Sequence, residues 1–268
     1  MSSLTPIAQF YDESTHKRLR DYVHGNPRAV AAIQFALRHI PTGASHILDI
    51  GCGVGWSAWE IVRHQPAATV VGVDLSPRQM HTAQQLFPHP QLSWIVTDMT
   101  QQEAFQPNRF DAIVLLDVYE HLPQPSRPTL HQIFRHTLKD QGVIILTCPS
   151  VFHQHYLRTE LPDGLQPVDE DVHLADLLQL AHDVEGEILS FAYQTIWHTN
   201  EYTHTIIQKR PLFGPKSAQH PRSIQLEPLP VRRQRVKSQL GLDIALPSNP
   251  SSPAHRLLQR VRHRLRGH

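Results

Sequence analysis

Three glycines and an acid lie close together at the end of an apolar run. The run covers residues 47–50 and contains Asp49, and the glycines follow at Gly51, Gly53 and Gly55, just before a helical pattern begins. Because glycine has no Cβ and tolerates positive φ, such a turn lets a ligand come close to the backbone. The helix that follows adds the positive end of its dipole. The segment therefore predicts a site for a nucleotide-like ligand.

A second acid, Asp74, ends the next apolar run, residues 69–73. A carboxylate in this position can accept hydrogen bonds from both hydroxyls of a ribose. The glycine spacing narrows the ligand further, because Gly-x-Gly-x-Gly places Trp56 where the dinucleotide fingerprint Gly-x-Gly-x-x-Gly has its third glycine. A nicotinamide-dependent oxidoreductase is therefore the less favoured alternative.

At these residues the chain resembles the class I S-adenosylmethionine-dependent methyltransferases. The letters LDIGCGVG at 48–55 look like the first motif of that family, and VVGVDLS at 70–76 looks like its second. The resemblance covers about residues 27–210, with its specific motifs inside 47–149. It implies a Rossmann-like α/β fold, methyl transfer as the activity, and S-adenosylmethionine as the cofactor.

The resemblance also implies which residues hold the cofactor. Asp49 would orient the glycine turn and the amino-acid end of the cofactor, Asp74 would bind the ribose, and Asp98 would receive the adenine amino group. Without the resemblance, the same acids could cap the turns and helices that follow their strands. The predicted cofactor-binding residues are Asp49, Gly51, Cys52, Gly53, Gly55, Asp74, Leu75, Asp98, Met99, Leu116 and Asp117.

His121 is the predicted catalytic residue. Residues 110–122 look like the fourth family motif, and an acid followed by histidine recurs here in O-methyltransferases of the ubiquinone-pathway type, to which this region is similar. An imidazole with a pKa of roughly 6.5 is a suitable general base for a hydroxyl nucleophile. A histidine that packs or fixes the loop is the alternative.

Three acids and a histidine lie in residues 166–173, after the fifth predicted strand. They could bind a hydroxylated acceptor or a divalent metal, but acids also favour the start of a helix through its dipole. We favour the helix start over a metal site and predict no metal. Glu170 and His173 are the candidates for acceptor contact. Tyr11 is a third, because its segment is similar to one that closes over the cofactor in related enzymes; a surface extension is the alternative.

Composition sets the broad class of protein. The 268 residues carry a formal net charge of +1, so we expect a small-molecule or glycan acceptor and no nucleic acid. Cys52 and Cys148 lie in different apolar segments and favour a reducing compartment over a disulfide framework. Because the sequence shows no signal-peptide core and no run of about 18 apolar residues, we expect a cytoplasmic protein.

Alternating elements predict a doubly wound α/β sheet. Apolar runs separated by segments of helix length are typical of βαβ units, and the short polar connection at 198–201 favours a closing hairpin. This order matches the family's mostly parallel seven-stranded sheet with an antiparallel last strand. Strands are predicted at 46–50, 69–74, 92–97, 110–116, 142–148, 187–197 and 202–209, and helices at 14–22, 27–40, 55–64, 77–87, 126–139 and 171–183.

Changes in composition predict three parts of the chain. Residues 1–26 would form an N-terminal extension or lid, 27–210 the methyltransferase domain, and 211–268 a proline-rich tail that buries too little apolar surface to fold as a domain. Alternating arginines and aliphatic residues predict a basic amphipathic segment at 256–266. It could contact an anionic membrane or an acidic partner, or remain a solvated tail.

The sequence thus predicts an enzyme that transfers a methyl group from S-adenosylmethionine to a small molecule or sugar, at a hydroxyl oxygen. Methyl transfer needs few dedicated catalytic side chains, since the cofactor carries an activated group and the protein mainly aligns the acceptor. A binding or scaffold protein that keeps the cofactor site without turnover is therefore the alternative from another class.

Overall fold

The computed structural model describes residues 6–101, 105–213 and 224–246, and within them the strands form one seven-stranded sheet. Its order is β3-β2-β1-β4-β5-β7-β6, and β7 runs antiparallel to both of its neighbours while the other pairs are parallel. This confirms the predicted sheet. The strands are β1 His46–Ile50, β2 Thr69–Asp74, β3 Leu92–Val96, β4 Phe110–Leu116, β5 Leu138–Pro149, β6 Gly186–Gln194 and β7 Tyr202–Lys209.

Helices cover both faces of the sheet, as the continuous apolar runs of the strands require. Successive residues of β1 point to opposite faces of the sheet. Ile47 lies in the hydrophobic core on one face, and Leu48 lies in the core on the other. The helices are α1 Pro6–His24, α2 Pro27–His39, α3 Trp56–His64, α4 Pro77–Leu86, α5 Arg127–Thr137, α6 Val151–Glu160, α7 Leu174–Asp183 and α8 Leu229–Leu240.

Two elements are longer than their sequence patterns predicted. Helix α1 begins eight residues before the predicted start at 14, and its buried face consists of widely spaced residues that include Leu19, Tyr22 and Val23. Strand β5 begins at Leu138, because Phe110 pairs with Leu138 before the register shifts to Ala112 and Val143. In both cases tertiary contacts extend an element beyond its apolar pattern.

The strand order changes direction between β1 and β4, and this switch point marks where a cavity can form at the edge of the sheet. Strand β1 lies between β2 and β4 in parallel register, so the loops after all three strands leave the sheet at the same edge. Connections from β1 lead to one side of the sheet and those from β4 to the other, which opens a crevice between the loops. The glycine turn, Asp74 and Asp117 all lie at this edge.

The segment 224–246 packs against the domain, although composition predicted a tail in this region. Val236 and Ile244 are buried in the same core as Tyr22 of α1. The Tyr22 hydroxyl donates to Glu227 Oε2 at 2.8 Å, and Arg232 Nη1 donates to the Tyr22 carbonyl at 2.8 Å. The segment therefore holds α1 in place. The domain boundaries stay a prediction, and the basic segment at 256–266 lies outside the described residues.

Within the described ranges, no helix is both long enough and apolar enough to cross a membrane.

Replacing Arg232 with alanine is expected to lower the free energy of unfolding by about 1–3 kcal/mol, because a buried charged hydrogen bond to the Tyr22 carbonyl is lost. The guanidinium also stacks 5.2 Å from the Trp56 ring centre. Urea denaturation followed by far-ultraviolet circular dichroism measures the change. Lys237→Ala is the matched control, since exposed Lys237 pairs with exposed Asp243 and should change the midpoint little. Equal midpoints for the two variants would contradict an anchoring role for Arg232.

Candidate active site

A cavity of about 340 Å³ lies at the carboxyl ends of β1, β2 and β4, beneath α1. The loops of the sheet form its floor, while Tyr11 and Arg18 of α1 line its roof. The predicted cofactor residues that line the cavity are Asp49, Gly51, Cys52, Gly53, Asp74, Leu75, Asp98, Met99, Leu116 and Asp117. The structure thus brings together ten residues that are widely separated in the chain.

Gly55 does not line this cavity. It precedes α3 with a φ of +85°, and a Cβ at this position would lie 2.6 Å from Trp94 Cη2 and 3.0 Å from Ala83 Cβ. Glycine is therefore required here by the backbone conformation and by packing of α3 against its neighbours. The structure gives Gly55 this packing role, and its assignment as a cofactor-binding residue stays a prediction.

The glycine turn is tied to the end of β2 by backbone hydrogen bonds. The amides of Gly51 and Cys52 both donate to the Val73 carbonyl, at 2.7 and 3.1 Å, and the Gly53 amide donates to Asp74 Oδ2 at 3.0 Å. Gly51 has a φ of +65°, and a Cβ there would lie 2.5 Å from Val118 Cγ2. The turn is held in one conformation before any ligand arrives.

Asp74 is oriented toward the cavity by two backbone donors. Its Oδ1 accepts from the Ser76 amide at 2.9 Å, and its Oδ2 accepts from the Gly53 amide. Burial raises the pKa of Asp74, while these amides oppose the shift. The free lone pairs of both oxygens remain suitable acceptors for the two hydroxyls of a ribose.

Asp49 is the most deeply buried acid of the cavity. Its exposed fraction is 1%, and its Oδ2 accepts a 2.5 Å hydrogen bond from the Ser57 hydroxyl. Burial raises the pKa of Asp49 to about 7, and the nearby Asp74 carboxylate adds to the shift. A cation bound beside it would relieve that destabilisation, so the position suits a ligand ammonium group.

Helix α1 is docked on α4 and closes the cavity. Asp12 Oδ1 accepts hydrogen bonds from the Ser76 hydroxyl and, at 3.1 Å, from the Arg78 amide. Gln79 Nε2 donates to the Tyr11 carbonyl at 2.6 Å. The Tyr11 ring itself lines the cavity with its centre 6.4 Å from that of His121. This placement fits the predicted lid and puts Tyr11 within the site.

The loop after β4 contains Asp117, which has a strained backbone conformation and is paired with Arg28. Asp117 has a φ of +57°, and its amide donates to the Thr147 carbonyl at 2.9 Å. Its Oδ2 forms an ion pair with Arg28 Nε at 3.0 Å, and Oδ1 accepts from the Thr147 hydroxyl at 2.8 Å. A positive φ outside glycine stores strain that the surrounding bonds must offset.

His121 lines the cavity and is surrounded by carboxylates. Its Nδ1 lies 2.7 Å from the Val168 carbonyl and 3.1 Å from Asp169 Oδ1, and its Nε2 lies 3.6 Å from Glu120 Oε1. Burial favours the neutral ring, but Glu120 and Asp169 outweigh it and raise the pKa of His121. Burial also raises the pKa of Glu120 to about 7.

Glu170 and His173 do not line the cavity. Glu170 Oε2 accepts from the Gln124 amide at 3.1 Å and lies 3.7 Å from Arg127 Nη2. His173 is the residue that precedes α7, where its amide donates to Asp176 Oδ2 at 2.7 Å. The acids and histidine of this segment fix a loop and a helix start, and in the described ranges no group of three or more His, Cys, Asp or Glu could hold a metal.

Arg18 and Arg28 are cavity residues that the sequence patterns did not indicate. Both lie on helices with several other basic residues, and α1 alone carries Lys17 and Arg20 beside Arg18. Spacing along the chain does not show which of these cations points inward. Only the docking of α1 and α2 over the sheet edge distinguishes them.

Comparison with known proteins shows similarity to methyltransferases. The family described as "Methyltransferase domain" matches residues 47–142. The chain is 29% identical over 174 residues to a malonyl-[acyl-carrier protein] O-methyltransferase of Halalkalibacterium halodurans, which covers 63% of this chain and 60% of that protein. It is 32% identical over 121 residues to a trans-aconitate 2-methyltransferase of Azoarcus sp., which covers 44% of this chain and 46% of that protein.

Two further proteins extend the comparison. A ubiquinone biosynthesis O-methyltransferase of Klebsiella pneumoniae is 25% identical over 168 residues, covering 57% of this chain and 67% of that protein. The crystal structure of a TehB-like S-adenosylmethionine-dependent methyltransferase of Corynebacterium glutamicum has a TM-score of 0.55 at 20% identity, covering 74% of this chain and 97% of that chain. The chain spans less than two thirds of the length of the first two relatives.

The sheet order and the glycine-lined cavity at its switch point define a Rossmann-like methyltransferase fold. Residues 47–142 match the methyltransferase-domain family, and the chain is similar to S-adenosylmethionine-dependent methyltransferases. S-adenosylmethionine is its cofactor by family, as the sequence motifs predicted. The cavity fits that cofactor chemically, because carboxylates are present both for ribose hydroxyls, at Asp74, and for an ammonium group, at Asp49.

Replacing Asp49 with asparagine is expected to stabilise the ligand-free protein more at pH 8 than at pH 5. The folded-state pKa of Asp49, about 7, lies above that of the unfolded chain, so the native state binds the proton more tightly. Its contribution to stability is therefore present at low pH and lost as pH rises toward 7. Asparagine mimics the protonated form and removes this loss. Urea denaturation at the two pH values measures the difference, and an equal gain at both would contradict the raised pKa.

Proposed function

We propose that the protein transfers the methyl group of S-adenosylmethionine to a hydroxyl oxygen of a small molecule. The observation that carries this proposal is the cavity at the sheet's switch point, with the glycine turn and two oriented acids on its floor. Two of the three curated relatives support oxygen as the acceptor atom, since they are named O-methyltransferases. A sugar hydroxyl fits the same chemistry.

The chain's own residues would bind the cofactor and exclude water. Asp74 and the glycine turn would hold the nucleoside, with Asp98 and Met99 at the adenine and Asp49, Leu116 and Asp117 at the amino-acid end. When bound, the cofactor supplies a methyl group activated for displacement by its positive sulfur. Helix α1 would close the site, and a closed, dry site favours alignment of the acceptor over loss of the methyl group to water.

His121 is proposed to accept the acceptor's proton at Nε2. Because a carbonyl can only accept, the 2.7 Å contact with Val168 requires a proton on Nδ1, so the neutral ring keeps its lone pair on Nε2. The proton gained there would lie beside Glu120, which stabilises the charged ring. Tyr11 is the proposed acceptor contact, because it lines the same cavity with its ring centre 6.4 Å from that of His121.

Cofactor binding and methyl transfer test this function separately. In titration calorimetry, S-adenosylmethionine and S-adenosylhomocysteine should bind with one site per chain, and NAD should give no heat. Label from methyl-labelled S-adenosylmethionine should then enter a low-molecular-mass fraction of a cell extract and survive mild alkali, which cleaves methyl esters but not methyl ethers. Mass spectrometry would identify the product. Binding without transfer would favour a scaffold, and NAD binding would overturn the proposal.

Replacing His121 with alanine is expected to lower turnover by about 10²–10⁴-fold while cofactor affinity stays within about twofold. The raised pKa of His121 also predicts that the acidic limb of the wild-type pH–rate profile lies above pH 6.5, because only the neutral ring accepts a proton. Steady-state kinetics and calorimetry measure both effects. His155→Ala, an exposed histidine of α6, is the control. Near-normal turnover of His121→Ala would exclude the base.

A further inference from the structure

Strand β6 is the outermost strand of the sheet and has one open edge. Its inner edge pairs with β7, and among the residues that the structure describes no strand pairs with its outer edge. An open edge exposes backbone N–H and C=O groups that can pair with a strand of another chain, and lysine, proline or a bulge commonly protects it. The edge of β6 has a bulge at Leu189, but residues 190–194 after it carry no charge and no proline.

Helix α7 presents an apolar flank beside this edge. The helix packs on β6 and β7, while α5, which connects β4 to β5, lies nearer the centre of the sheet. Asp176 and Asp183 contact side chains of α5, so their flank of α7 faces inward. Leu174 and Leu178 lie one turn apart on the opposite flank and are 46% and 55% exposed. This leucine flank therefore faces outward, past the edge of β6.

Aromatic side chains of β6 continue the same surface. Phe191 packs against the core that α7 covers, and Tyr193, two residues later, lies on the same face of the strand with its ring centre 5.4 Å away. Tyr193 is exposed. On most monomeric proteins exposed apolar residues occur singly, and a continuous group marks an interaction site. Residues 190–194 and the leucine flank of α7 are called the edge surface below.

A second copy of the chain fits the edge surface. A two-fold axis perpendicular to the sheet at Ala192 would pair β6 with its own copy in antiparallel direction and would bring no like charges together in residues 190–194. Phe191 would lie opposite Tyr193 of the second copy, which is a favourable cross-strand pair. The axis keeps both α7 helices on one face of the sheet, so their leucine flanks would meet. We propose that two copies of this chain form a dimer through the edge surface.

The size of this surface is close to what a stable dimer needs. The nine residues of β6 span about 30 Å. The strand and the helix layer on it are together about 20 Å deep. Such a face has about 600 Å² per copy, or about 1,200 Å² in total, which is the lower end of the range for specific interfaces. The dimer is therefore expected to dissociate on dilution.

The dimer leaves the two cavities independent of each other. Because β7 is antiparallel to both β5 and β6, β6 runs parallel to the central strands. Antiparallel pairing of two β6 strands then places the carboxyl edges of the two sheets, and the cavities on them, at opposite ends of the joined sheet. The residues of the edge surface do not line the cavity. The dimer thus does not depend on the proposed function, and its loss should leave cofactor affinity unchanged.

Sedimentation velocity of the full chain from about 1 to 100 μM should show a reversible monomer–dimer equilibrium. Leu178→Glu and Leu178→Lys should each weaken association at least about tenfold, because like charges would meet across the axis. An equimolar mixture of the two variants should associate again, since opposite charges then face each other. This recovery would show that the leucine flank meets its own copy.

Leu242→Glu is the matched control, because Leu242 is a similarly exposed leucine in the segment 224–246 and its substitution should leave the dimer intact. Thermal melts check that each variant folds as the wild type does. Hydrogen exchange at residues 190–194 should slow as the protein concentration rises.

Three outcomes would overturn the dimer. A wild-type chain that stays monomeric, with slow exchange at residues 190–194 at every concentration, would mean that the chain covers its own edge. Fast exchange in such a monomer would leave the edge surface to a different partner. A dimer that persists in both Leu178 variants would place the interface elsewhere on the molecule.

Discussion

The site depends on the hydrogen bonds that join the turn after β1 to the end of β2. The Val73 carbonyl accepts from two successive amides of the turn, and Asp74 accepts from a third. These bonds place Asp74 and the glycine backbone on one rigid unit. Val118, which a Cβ at Gly51 would meet, connects the same unit to the loop after β4. A displacement of the turn would therefore move three walls of the cavity together.

The buried carboxylates in and beside the cavity cost the folded protein free energy. Burial raises the pKa of Asp49, of Asp74 and of Glu120, so each carboxylate is less stable in the folded protein than in water. The positive sulfonium and ammonium groups of a bound cofactor would stabilise these buried carboxylates. The ligand-free protein holds Asp74 in place with backbone amides and Asp49 with the Ser57 hydroxyl, and this pre-organisation favours binding over stability.

The parts of the molecule that sequence could predict are those in which local pattern and tertiary role coincide. Asp49, Gly51 and Asp74 end or follow apolar runs, so strand periodicity and chemistry point to the same residues. Gly55 has the same spacing, but the side chain that a Cβ would meet, Trp94, comes from a strand that is distant in sequence. Arg18 lies on a helix rich in cations, and only three-dimensional docking selects it.

The segment 224–246 escaped prediction because it stabilises the fold with few apolar residues. Its arginines cover aromatic rings, as Arg235 does 4.4 Å from the centre of the Trp59 ring, and its backbone satisfies a buried acid. That acid is Glu60, whose Oε1 accepts from the Glu227 amide at 2.9 Å and from the Trp56 indole at 3.4 Å. Composition cannot distinguish such a segment from a solvated one, because the apolar surface that it covers is on other elements, such as the ring of Trp59.

This polar network connects the two ends of the described chain to the cavity wall. Tyr22 of α1 bonds to Glu227, the Glu227 amide bonds to Glu60, and Glu60 bonds to Trp56, which lines the cavity. Lifting α1 alone would remove the tyrosine donor from the buried Glu227 carboxylate, which would keep its ion pair with Arg235 at 2.7 Å. Moving α1 together with the segment 224–246 would instead break the bond from the Glu227 amide to Glu60, whose side chain is fully buried. Either movement removes a hydrogen bond from a buried carboxylate, so the network stabilises α1 in its position over the cavity.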